Sequence, residues 1–160
     1  MLIKRGKCPL IKLLYDTNMK VWSEVKEEFE ADGSLRDIYV EEIDPALWEV
    51  FIEGVRSSAY RHEFTHGGAS IEIPYGLMEI KRLQEKDPTT LIIWLSDKVQ
   101  VNCHFFIETE IELDISPRDI VGEHEYQVLI AFLKWVSSIL KERVILTHEN
   151  TQDQVILSVG

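Results

Sequence analysis

The chain has 160 residues, 45% of them hydrophobic and 28% charged, which supports one real core under a soluble surface. Asp and Glu total 28 against 17 Lys and Arg, a net charge of -11. A field of that sign repels phosphate backbones, so it argues against direct nucleic-acid binding and for a basic partner, a metal, or solubility alone.

Residues 1–18 carry Lys4, Arg5, Lys7 and Lys12 around short apolar runs. Lys12 interrupts the run and no small-residue cleavage site follows, so a loosely ordered basic segment is expected there and not a secretory leader. Cys8 and Cys103, far apart, make neither a disulfide framework nor a C-x-x-C pair, and reduced thiols in a cytoplasm are the expectation.

Residues 19–31 leave helix and strand open: Trp22, Val25 and Phe29 stand at roughly helical spacing, but a strand there could form a hairpin through Asp32-Gly33. Residues 36–41 are rich in strand formers. Asp44-Pro45 marks a helix start, with Asp44 capping and Pro45 at the first position. Leu47, Trp48, Phe51, Ile52 and Val55 then line one face of that helix.

Next comes His62-Glu63-Phe64-Thr65-His66, the H-E-x-x-H pattern of zinc peptidases. On a helix both imidazoles reach one ion and Glu63 activates the bound water. On a strand His62 and His66 share a face but stand about 13 Å apart, with Glu63 opposite. Strand formers inside the motif, and Gly67-Gly68 leading to an alternating Ile71-Glu72-Ile73, favour the strand and a hairpin. No third ligand stands at a recognised spacing, so neither metal nor cofactor is expected. A small zinc hydrolase using His62, His66 and Glu63 is the alternative.

A helix is predicted over residues 75–85 and a buried strand over 89–95, with a tight connection at Ser96-Asp97-Lys98. From 99 to 115 apolar and polar residues alternate without a slip. One straight strand of that length would run roughly 55 Å, against a radius of gyration of about 15 Å for a domain this size. The segment must fold back, near residues 106–109, into two antiparallel strands. Its polar positions include Glu108, Glu110, Glu112 and Asp114, a stripe that Lys or Arg on neighbouring strands could neutralise. Left uncancelled, the stripe is a docking surface for a basic partner. His104 shares that face and, like His124 and His148, reads as solvated. Residues 123–141 form a long helix apolar on more than one side, so it packs against a sheet and something else. The longest apolar stretch, 128–140, contains Lys134 and is too short to span a bilayer. Residues 144–147 and 155–159 form a closing strand pair across a polar loop.

The sum is a single α+β domain over 1–160, a mostly antiparallel sheet with helices on one face. The roles of Arg36, Asp37, Arg118 and Asp119 stay open, as does a homodimer through an edge strand.

Three stretches, DGSLRDIYV (32–40), CHFFIETEIELDISPRDI (103–120) and LTHEN (146–150), resemble small acidic bacterial proteins similar to the immunity proteins of polymorphic and contact-dependent toxins. The resemblance implies a compact cytoplasmic inhibitor with no catalytic residues, whose protein partner is a cognate toxin.

Overall fold

The computed structural model describes residues 19–160. The expected basic N-terminal segment, Cys8 included, lies outside the described residues. The frame of the described residues is one eight-stranded sheet in which every neighbouring pair is antiparallel. The strands are β1 (Arg36–Val40), β2 (Arg61–His66), β3 (Ala69–Ile71), β4 (Thr89–Trp94), β5 (Gln100–Cys103), β6 (Ile111–Ile115), β7 (Val144–His148) and β8 (Val155–Val159). Their order across the sheet is β3-β2-β4-β5-β6-β1-β7-β8. Among the described residues the α-helices are α1 (Trp22–Val25), α2 (Leu47–Ser57), α3 (Leu77–Gln84) and α4 (Glu123–Leu140).

The sheet has one apolar face, and the register explains it. Phe64, Leu91, Cys103, Leu113, Ile38 and Leu146 stand opposite one another across six strands. With their same-face neighbours they join Trp48, Phe51, Ile52 and Val55 of α2 and Leu129, Phe132, Leu133 and Val136 of α4 in one core. Burial alternates along β4, β5 and β6, as period-two strands with one packed face require. The buried strand expected at 89–95 is therefore buried on one face only: Thr90, Ile92 and Trp94 are half-exposed.

Long helix α4 packs on the sheet and also against α2. A Cβ at Gly54 of α2 would come within 2.7 Å of Ile139 Cδ1, so the glycine permits the close approach. Tyr60 fills the same seam, 5.3 Å from the Trp135 ring. Residues 19–31, open in the sequence, form α1 and a 3-10 turn (Lys26–Phe29), whose Trp22 and Phe29 rings lie on Tyr126 of α4.

Helix α2 begins later than expected. Asp44 Oδ1 accepts from Ala46 N–H at 2.9 Å, closing a turn before the regular helix starts at Leu47. The motif at 62–66 is strand β2, paired with β3 through Gly67 and Gly68, whose positive φ values of 55° and 81° suit a tight hairpin. The fold-back of 99–115 occurs as expected, with β5 and β6 antiparallel neighbours. Its alternation does break: Phe105 takes φ 59°, and Ile107, expected buried, is 49% exposed. No helix among the described residues is long and apolar enough to cross a membrane.

Candidate functional site: the open face of the sheet

The second face of the sheet is polar. The register places Glu63, Ile92, Asn102, Asp114, Asp37 and Thr147 in one row across six strands. In the next row of β6, β1 and β7 stand Glu112, Tyr39 and Ile145. At the centre two carboxylates, Asp37 and Asp114, are direct cross-strand partners, a pairing that repels.

Hydrogen bonds organise these groups into two linked sets. Asn102 Nδ2 donates to Asp114 Oδ1 at 3.0 Å, and His104 Nε2 lies 3.0 Å from Asp114 Oδ2. Thr90 Oγ1 is 3.4 Å from the other ring nitrogen of His104. On the other side, the Tyr39 hydroxyl lies 3.0 Å from Asp37 Oδ2 and 3.4 Å from Glu112 Oε1, and its one proton serves either. Asp37 Oδ2 also accepts from the backbone N–H of Asn150 at 2.7 Å. Asn150 adopts φ 55°, so a left-handed residue at the tip of the β7–β8 loop delivers that N–H.

Among the described residues the acidic centre of this face has no Lys or Arg counter-ion: none forms a salt bridge with Asp37, Glu108, Glu110, Glu112 or Asp114. Arg61, at the far end of the same face, lies over the Trp94 ring. Among the described residues the ionic contact these carboxylates make is His104 with Asp114. Burial, then repulsion from Asp37 and Glu110, pushes Glu112 above the usual carboxylate range. Burial raises Asp37 too, against the lowering hydrogen bonds from Asn150 and Tyr39. The hydrogen bond to Asp114 raises His104, which favours its charged form.

The expected stripe is only partly a row. Glu112 and Asp114 lie on β6 and face outward. Glu110 sits at an isolated bridge with Ile107, its Oε2 held by Gln152 Nε2 at 2.6 Å. Glu108 is exposed on the turn itself, so it leaves the line of the strand.

No protein-family model matches the chain, and no curated protein matches it. It is similar to one chain in the crystal structure of the toxic C-terminal tip of CdiA from Pseudomonas aeruginosa in complex with immune protein. The identity is 12%, the TM-score 0.44, and the match covers 78% of this chain and 94% of that one. No residue role is carried over from so distant a likeness.

The H-E-x-x-H residues are separated by the strand. Glu63 stands in the open-face row opposite Ile92, whereas His62 and His66 alternate with it and share the side of Phe64. His66 Nε2 lies 2.9 Å from the carbonyl oxygen of Leu83, which only accepts, so that nitrogen is a donor. His62 Nδ1 likewise meets the carbonyl of Tyr60 at 3.2 Å. Among the described residues no group of three His, Cys, Asp or Glu side chains is placed to hold a metal ion.

Two histidines differ from their expected solvated state. His104 is bound to Asp114, and His148, at the end of β7 and not in a loop, meets Glu28 Oε2 at 2.6 Å. His124 is exposed on the first turn of α4. Sequence reasoning missed Asp37 and Tyr39 as members of the face. Their alternation along β1 was a signal, but which side they occupy depends on pairing with distant β6 and β7. Asp119 accepts from Gln100 N–H at 3.4 Å and closes the foot of β5.

Proposed function

We propose that the chain is a non-enzymatic, cytoplasmic protein-binding module, an immunity-type inhibitor that covers a basic toxin with its open sheet face. The observation that supports it best is the set Asp37, Glu110, Glu112 and Asp114, clustered on one face without a Lys or Arg counter-ion among the described residues. Folding alone gains nothing from like charges set side by side, so their natural complement is a cationic surface. Glu108, on the adjoining turn, extends the same field.

The three stretches that resemble immunity proteins also converge. They contribute β1, β6 and the end of β7 with its loop, and the three strands are neighbours in the order β6-β1-β7. Asp37, Glu112, Asp114 and the N–H of Asn150 come from those stretches. The resemblance therefore concentrates on the acidic centre of the sheet, the part a partner would meet.

Co-purification from the native host identifies the partner, expected to be a basic polypeptide whose toxicity the chain suppresses. Calorimetry at two ionic strengths then tests the surface. Glu110→Gln with Glu112→Gln is expected to weaken binding about tenfold at low salt and to flatten the salt dependence. Unchanged affinity in that double variant would remove the assigned surface.

A further inference from the structure

We propose that the turn after β5 is the apolar anchor for the same basic partner, with Phe106 and Ile107 entering a partner pocket rimmed by Lys or Arg. The inference rests on the acidic-face reading above and adds the contact that supplies most of the holding energy.

Phe106 is 56% exposed and Ile107 49%. Exposed apolar residues are common singly, so exposure alone decides nothing. What distinguishes this pair is the backbone beneath it. Gln84 Nε2 donates to His104 O at 2.9 Å. The Lys81 ammonium donates to Phe105 O at 2.5 Å and to Phe106 O at 2.7 Å. Trp48 Nε1 serves Ile107 O at 3.2 Å and Glu108 O at 3.0 Å, and Ile43 N–H donates to Thr109 O at 2.9 Å. Six consecutive carbonyls are thus held by groups from α2, α3 and the segment before α2.

The same turn is bent at Phe105. Its φ of 59° places a bulky residue in the left-handed region, at a cost of about 1 kcal/mol or more. The buried Phe105 ring, 5.3 Å from Trp48 and 6.0 Å from Phe64, keeps it there. A strained backbone, clamped on its inner side, thereby displays two adjacent apolar side chains to water. An anchor held in one geometry before contact loses little entropy on binding, and aromatic anchors dominate interface energetics.

Position and charge specify the occupant. The Phe106 ring lies 5.4 Å from the His104 ring, which is bonded to Asp114, so anchor and acidic face form one continuous surface. Glu108 follows within the turn. A second copy of this chain is a poor fit, because Asp114 and Glu108 beside its own anchor would meet the same carboxylates, and the nearest cation, Lys81, is occupied by the carbonyls of the turn. A partner combining an apolar pocket with surrounding cations matches both halves.

A random peptide display library panned against the folded chain tests this, with enriched peptides measured on variants. Expected are peptides that join Lys or Arg to an aromatic residue or Leu. Phe106→Ala with Ile107→Ala is expected to weaken them by about tenfold or more, while circular dichroism and melting stay at parent values. Lys81→Met supplies a second variant. It retains both apolar side chains and removes a positive charge near the carboxylates. A purely electrostatic account has it strengthen cationic peptides, whereas release of the clamped turn weakens them. Peptides weakened by the Glu110 and Glu112 substitutions but indifferent to Phe106→Ala overturn the anchor and leave the acidic face standing. Peptides that respond to Phe106→Ala and ignore both the carboxylates and salt overturn the acidic face. No enrichment above an unrelated control protein overturns the anchor. A sedimenting dimer that the two alanines dissociate assigns the turn to a second copy and overturns the proposal as well.

Discussion

Arg36 shows how much one side chain can hold. It is 1% exposed and lies at the end of β1 on the packed side of the sheet. Its guanidinium donates to the carbonyls of Glu28, Glu30 and Leu35, to the Ser34 hydroxyl and to both oxygens of Asp32. Those bonds tie the 3-10 turn and the following loop to the sheet. Arg36→Met leaves the buried carbonyls without donors, and a loss of about 3 kcal/mol is expected in urea denaturation. Next to it, Asp37 faces the opposite way into the acidic centre and is itself buried there at 3% exposure, so one Arg-Asp dipeptide supplies a buried residue to each face of the sheet. A second residue-scale expectation concerns His104. Its hydrogen bond to Asp114 favours the imidazolium, so its NMR titration should lie above the usual histidine value of about 6.5. Asp114→Asn should bring it down. A midpoint that does not move would place the cause outside this pair.

At the scale of elements, legibility follows the range of the forces involved. The β2–β3 hairpin was readable because Gly67-Gly68 meets a local backbone demand, and β5 and β6 because one packed face imposes alternation; β4 was legible as a strand, but its apolar run hid that only one of its faces is packed. The extent of α4 was readable from its apolar period. The structure of residues 19–31 was not, because its packing comes from Tyr126 of α4 and from Arg36, both far along the chain. The bend at Phe105 carried no local signal, since a left-handed phenylalanine is imposed by Trp48, Lys81 and Phe64. Of the acidic face, Glu112 and Asp114 were legible, whereas Asp37 required knowledge of strand order. Helix α4 also shows a local compromise: Lys141 ends it at φ 55° while its N–H donates to Ser137 O. Glycine takes that conformation without steric cost, so Lys141→Gly is expected to stabilise by roughly 0.5 to 1 kcal/mol. The shift in melting temperature checks it.

For the molecule as a whole, the open face carries electrostatic stress that folding leaves in place. Asp37 and Glu112 titrate above the usual carboxylate range, each chiefly through burial, and His104 above its own through Asp114. All three bind protons more tightly in the folded chain than in the unfolded one. Each therefore contributes stability that is fully present below its unfolded value and lost as pH rises through its folded value. For His104 that loss begins above about pH 6.5, and for the two carboxylates above about pH 4. Asp32 and Glu53 have the opposite sign. Hydrogen bonds from Ser34 and Arg36, and from Ser57 and Arg56, hold them low, so their contribution disappears as pH falls below about 4. The melting temperature is thus expected to rise from about pH 8 to about pH 5 and to fall again below about pH 4. Glu112→Gln should flatten the rise and, at neutral pH, raise the melting temperature by about 1 to 2 °C. On the proposed function, affinity for a basic partner should weaken as pH falls, because the protons taken up by Asp37, Glu112 and His104 also discharge the face. A melting temperature that falls steadily from about pH 8 to pH 5, or an affinity indifferent to pH there, would contradict a stressed acidic face waiting for a cationic surface.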